Sequence, residues 1–121
     1  MMSMTALKRS LMKRMDKVLS LLGLAARGRN LVSGEFSTEK AIKEGKASLV
    51  IVGDDASDNT RKMFTNMCTY YQVPICFFGK KDELGHSMGK EMRASLAILD
   101  EGFAKALVKQ MNMNGGSKYE G

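Results

Sequence analysis

Proline occurs once in the 121 residues, at Pro74, and no stretch is rich in serine and proline. That scarcity excludes a disordered protein and leaves only residues 112–121, "NMNGGSKYEG", as a flexible tail. No apolar run approaches the roughly 20 residues that a membrane span needs. The basic start is not followed by a separate apolar block and a small-residue cleavage site, so no secretory signal is expected. Cysteine is nearly absent. Cys68 and Cys76 lie eight positions apart in apolar settings, a spacing that matches no common metal-ligand pattern. They read as reduced core thiols of a cytoplasmic protein, not as a disulfide or half a zinc site.

Catalytic groups are equally scarce. His86 is the only histidine, in a polar helical stretch with no evident orienting partner, and a general base needs one. There is no phosphate-binding loop and no G-x-G-x-x-G after a strand. Asp54 and Asp55 follow Gly53 at the carboxyl end of an apolar strand, where α/β folds hold ligands. A Mg²⁺ site is conceivable there, but capping of the next helix or turn is the simpler role. With no catalytic constellation, the expectation is a protein that is not an enzyme and takes no cofactor, metal or small-molecule substrate.

What is present is charge, unevenly placed. Residues 1–30 carry seven basic side chains against Asp16 alone, a net of +6, and the remaining chain is balanced, so the whole formal charge of +6 sits at one end. A localised basic region is the footprint of a polyanion binder. Met4, Leu7, Leu11, Met15, Val18, Leu19 and Leu22 recur at helical spacing. This predicts a helix from near Thr5 to about Arg27, with residues 1–14 a basic extension and residues 15–111 a single domain.

Beyond Arg27 short strands alternate with helices. "NLV" is a strand, and Gly34 opens a helix that Gly45 closes. "LVIV" over Leu49–Val52 is apolar on both faces, as central strands are. A helix capped by Ser57 or Asp58 should turn Met63, Phe64, Met67, Cys68 and Tyr71 inward. "VPICFFG" and "RASLAIL" supply two more strands. Between them Asp82 should cap a short helix through Met88, and Asp100 should cap a last helix over Glu101–Met111. The alternation predicts an α/β fold, a three-layer α/β/α sandwich around a four-stranded mixed sheet.

Two glycine-bearing segments then stand out. Gly34 sits where free helix N–H groups favour phosphate. In "ELGHSMGKEMR", Gly85 and Gly89 read as openings through which another backbone, that of a nucleic acid, approaches. Lys40, Lys43, Lys90 and Arg93 put positive charge around both segments, and Arg93 is long enough to reach a phosphate.

The strings "LVIVGDDAS", "YYQVP" and "ELGHSMG", in that order, resemble the ribosomal-protein superfamily of the L-seven-Ae and L-thirty-e kind, whose archaeal members bind kink-turn RNA, and within it the bacterial YlxQ-like branch. The resemblance spans about residues 15–111. It implies an α/β/α sandwich and structured RNA, such as ribosomal RNA, as the ligand. In kink-turn binders the junction of the first strand and second helix reads roughly G-x-N-E-x-T-K. Gly34 and Lys40 match it, whereas Phe36, Ser37 and Glu39 replace the asparagine, glutamate and threonine. RNA therefore carries over as a class, without the usual kink contacts. The implied RNA-facing residues are Gly34, Glu35, Phe36, Ser37, Lys40 and Lys43, then Gly89, Lys90, Glu91, Met92 and Arg93. The reading is a small non-enzymatic RNA-binding protein of the translation or transcription apparatus. Its rival is a protein-interaction module on the same fold, with Phe36 as an apolar anchor.

Overall fold

The computed structural model describes residues 3–112 and 119–120. It contains the helices α1 (Met4–Arg27), α2 (Glu35–Lys43), α3 (Asp58–Tyr71), α4 (Lys81–Ser87) and α5 (Glu101–Asn112). The strands are β1 (Leu31–Ser33), β2 (Leu49–Val52), β3 (Ile75–Phe77), β4 (Ser95–Ile98) and a two-residue β5 (Tyr119–Glu120). Their order across the sheet is β1-β4-β2-β3-β5. β2 runs parallel to β3, while β1–β4, β2–β4 and β3–β5 are antiparallel. The four strands expected from the sequence thus form a mixed sheet, and Tyr119–Glu120 add to its β3 edge. Residues 113–118 and 121 of the expected tail lie outside the described residues.

The period of two in the strands divides the core. Leu49, Ile51, Cys76, Leu96 and Ile98 face one layer, built by Val18 and Leu22 of α1, Leu84 of α4, and Ala104, Leu107 and Met111 of α5. Val50, Val52, Ile75 and Ala97 face the other, built by Ala41 and Ile42 of α2 and Phe64 and Cys68 of α3. β2 and β4 are buried at every position, so apolar side chains on both faces of these central strands are what the sandwich requires. α1 packs along α5 and α4, which brings the two ends of the domain together.

Only the C-terminal part of α1 is clamped in this way. Val18, Leu22 and Ala25 are buried, whereas Met4, Leu7, Leu11 and Met12 are exposed. The helix is nevertheless continuous over its 24 residues, a rod about 36 Å long at 1.5 Å per residue. Ser3 caps its start, its Oγ accepting the Ala6 N–H at 3.1 Å.

Two local expectations need correction. Tyr71 does not turn inward: it is exposed at the end of α3, while Phe64 and Cys68 fill that face. Asp82 does not cap α4. The cap position is Lys80, whose N–H donates to Glu83 Oε1 at 2.9 Å, and the Lys81 N–H donates to Asp55 Oδ1 at 2.9 Å. Glu83 stands three positions after Lys80, where a side chain can reach back to the cap, and Asp82 lies inside the first turn. Asp55 therefore caps a helix, though α4 and not α3. Ser57 caps α3 through the Thr60 N–H at 3.2 Å, and Asp100 caps α5 through the Phe103 N–H at 2.9 Å.

Cys68 and Cys76 lie in opposite core layers, separated by the sheet. Burial pushes each thiol up from the ordinary 9.0 to about 12. Both should resist a chromogenic thiol reagent in the native protein and react fully in denaturant, read as absorbance against time. Between pH 9 and about 12 the unfolded chain has released thiol protons that the folded chain still holds. The unfolded state then binds fewer protons, and stability falls as pH rises through that window. Urea midpoints measured across it check the sign.

Candidate nucleic-acid interface

Strand β4 organises one end of the sheet. The Ser95 carbonyl accepts the Gly34 N–H at 2.9 Å, and the Ser95 hydroxyl donates to Thr38 Oγ1 at 3.2 Å. Both side chains are buried, and a buried hydroxyl without a partner is costly, so the pair fixes the first turn of α2 against β4. Gly34 has φ +94° with open space around it. The glycine is needed there for backbone conformation and not for room. As the residue before α2 it contributes no capping side chain. The first N–H groups of α2, which lack intrahelical partners, stay at the surface.

The loop between α4 and β4 approaches this junction because of Gly85. A Cβ built on Gly85 would overlap the carbonyl of Glu91. The backbone that comes close to Gly85 is thus the chain's own, which corrects the expectation that this glycine opens the helix to a nucleic acid. The Lys90 N–H donates to the Gly85 carbonyl at 2.9 Å and the Arg93 N–H to the Lys81 carbonyl at 3.0 Å, folding residues 89–93 back onto α4. Gly89 has φ +71° and open space, so it too serves conformation.

Arg93 closes the arrangement. Its Nε donates to Ser33 Oγ at 3.2 Å and its Nη1 to the Met92 carbonyl at 2.9 Å. The first of these bonds ties the loop to β1 across 60 positions of sequence. Among the described residues no ion pair joins Arg93 to Glu91 or Asp82. Glu35, Phe36, Lys40, Gly89, Lys90, Glu91 and Met92 are all exposed, and Ser37 and Arg93 are half-buried. A groove of about 610 Å³ runs between the two segments. Its walls include Ser33, Ser37, Gly89 and Lys90, and also Arg27 at the end of α1. Arg27 was counted in the basic N-terminal charge but not among the site residues. Its signal was the short turn Gly28-Arg29-Asn30, which returns the chain to β1 directly after α1.

Lys43 stands apart from the groove, one helix length along α2. It is held by Glu39 at 2.8 Å, an interaction that raises its pKa. His86 is exposed on α4, beside the loop. Among the described residues no group of three His, Cys, Asp or Glu side chains is arranged to hold a metal ion, and no helix is long and apolar enough to cross a membrane.

Residues 16–108 match the model of the ribosomal protein L7Ae/L30e/S12e/Gadd45 family. The chain belongs to that family. It is 45% identical over 92 residues to "RNA-binding protein YlxQ" of Bacillus subtilis (strain 168), covering 76% of this chain and 92% of that protein. The "RNA-binding protein YlxQ" of Enterococcus faecium is 39% identical over 90 residues, covering 74% and 86%. These similarities assign the chain to the YlxQ-like branch. Among solved structures, a Bacillus halodurans protein described as of unknown function superposes with a TM-score of 0.77 at 40% identity, over 79% of this chain and 97% of that one. The Giardia lamblia 15.5kD RNA binding protein shares the fold, with a TM-score of 0.69 at 22% identity over 84% and 87%.

Gly85→Ala should destabilise the domain by about 1–3 kcal/mol in a urea melt, because the loop must move to admit a methyl group. Gly89→Ala, strained only in φ, should cost about 1–2 kcal/mol. At Phe36, which is 77% exposed, replacement by Ala should change stability by less than about 0.5 kcal/mol. At the fully buried Phe64 the same change should cost about 3–5 kcal/mol.

Proposed function

We propose that this chain is a small, non-enzymatic RNA-binding protein that holds structured RNA on the face formed by the Gly34 junction and the 89–93 loop. The observation that carries the reading is the union of those two segments into one groove by the Arg93–Ser33 hydrogen bond. The groove offers what a phosphate backbone needs. The α2 N-terminus supplies unpaired N–H groups and a favourable dipole end. Arg27, Lys90 and Arg93 add positive charge on its walls or rim. Arg93 spends only part of its donor set within the protein, so its remaining N–H groups are available to a phosphate. The names of the relatives support RNA as the ligand class.

In the α2 segment Phe36 can neither donate nor accept the hydrogen bonds of the kink-turn junction, and Glu39 brings a repulsive charge near phosphate. The face therefore favours another structured RNA, met in the translation or transcription apparatus. Glu35 and Glu91 at the rim oppose indiscriminate phosphate binding and favour a ligand whose backbone follows the groove.

The N-terminal charges are arranged differently from what their position in sequence suggests. Arg27 is at the groove, but Lys13 lies about 21 Å back along α1 and Lys8 about 28 Å back. These distances exceed a Debye length of about 8 Å at physiological salt. The extension therefore attracts a separate part of a long RNA.

Arg93→Ala should weaken folded hairpin RNAs by a similar factor whatever their sequence, and should flatten the log K against log salt slope by about 0.9. Arg93→Lys should recover part of the affinity. Unchanged affinity and slope on Arg93→Ala would remove the loop from the interface and favour a protein partner for this surface. Deleting residues 1–14 should leave short hairpins almost unaffected but weaken long RNAs and reduce their salt dependence. Titrations with one short and one long RNA at several salt concentrations distinguish these outcomes.

A further inference from the structure

The exposed aromatics are not scattered. Residues 36, 40 and 43 recur at i, i+4 and i+7, so Phe36, Lys40 and Lys43 share one face of α2. Opposite that face Thr38, Ala41 and Ile42 are buried, which turns the shared face to solvent. It starts at the rim of the groove, since Phe36 is the second residue of the helix. It ends beside α3. There α2 packs against α3, whose last two residues are Tyr70 and Tyr71. Tyr70 stacks edge-on against Tyr71, with centroids 4.9 Å apart and rings at 77°. Phe36 is 77% exposed and Tyr70 79%. Among the described residues Lys40 makes no ion pair, whereas Lys43 pairs with Glu39.

Aromatic rings left in water with lysines between them fit one ligand better than others. An apolar protein anchor would bury rings without requiring cations along their path. A duplex would use the cations but leave the ring faces idle. Unpaired bases use both, stacking on the rings while their phosphates meet the lysines. Continuity with the groove argues for the same strand. We propose that Phe36, Lys40, Lys43, Tyr70 and Tyr71 form a stacking track for a single-stranded RNA segment that leaves the structured RNA held at the Gly34 junction. The track deepens the RNA reading above and rests on it. It specifies an RNA with an unpaired flank on the α2 side, read by stacking and hence tolerant of sequence.

The absence of tryptophan supplies the assay, because emission comes from Tyr70, Tyr71 and Tyr119 alone. Two probes are needed: single-stranded oligoadenylate, and a blunt-ended RNA hairpin with an internal bulge. On the full-length protein oligoadenylate should quench tyrosine emission. Tyr70→Ala should weaken labelled oligoadenylate about five- to a hundredfold by anisotropy, with hairpin binding unchanged. Tyr70→Phe, which keeps the ring, should retain the affinity. Arg93→Ala should show the reverse preference, weakening hairpin binding and keeping that of oligoadenylate. Hairpin binding with no quenching, or with equal oligoadenylate affinity in wild type and Tyr70→Ala, overturns the track and leaves the groove standing. A protein partner for the tyrosines would give that same unchanged affinity. Failure to bind either probe removes the RNA reading itself.

Discussion

Gly85 has no side chain, and the loop that follows α4 lies where one would have been. From that single contact the position of the whole candidate interface follows. The Glu91 carbonyl occupies the space of the missing Cβ, and residues 89–93 are pulled onto α4. Arg93 is thereby brought within hydrogen-bond reach of Ser33. A methyl group at 85 would push the loop outward and separate the two halves of the groove. A neighbouring approach is similarly close: a Cβ on Gly23 would lie 3.0 Å from the Ser87 carbonyl. α1 and α4 can pack closely because of it, and Arg27 reaches the groove from the same helix. Glycines set the geometry here by admitting the protein's own backbone.

The second half of the interface rests on a polar contact inside an otherwise apolar core. Thr38 and Ser95 are the buried polar residues among those described, and they bond to each other. Because each hydroxyl would be stranded without the other, the pair fixes the rotation of α2 on the sheet. That rotation decides which residues of α2 meet water. It turns Phe36, Lys40 and Lys43 outward together and leaves Ala41 and Ile42 to the core.

Much of this fold could be read from periodicity. The continuous apolar run at Leu49–Val52 announced a central strand, "RASLAIL" a further strand, and helical spacing located α1, α3 and α5. These signals are strong because burial acts on every residue of the element. The errors came where one residue acts alone. Asp82 has the chemistry of a cap, but the cap geometry depends on Glu83 three positions from Lys80 and on Asp55 from a distant loop. Tyr71 falls on the helical phase of the core, yet the helix ends there and the ring escapes. The two site segments were legible as glycine-and-lysine stretches. Their union was not, since the Arg93–Ser33 bond crosses 60 positions and no local pattern encodes it. Arg27 was missed for the same reason: its neighbours in space are distant in sequence.

The pairing of α1 with α5 has a consequence for how the domain is made. One core layer is shared by Val18 and Leu22 near its beginning and Leu107 and Met111 near its end. Until the last helix has been synthesised, α1 and this face of the sheet lack the part of their cover that Ala104, Leu107 and Met111 supply. The opposite layer is complete once Ala97 has emerged. Between the emergence of Ala97 and that of Met111 the nascent chain is therefore a half-closed sandwich, with its N-terminal helix waiting for its C-terminal one. Closure of such a distant contact is slow compared with local helix formation. The exposed interval is thus set by translation of the final dozen or so residues of the domain, and truncation within α5 should be punished far more severely than truncation within the first turns of α1.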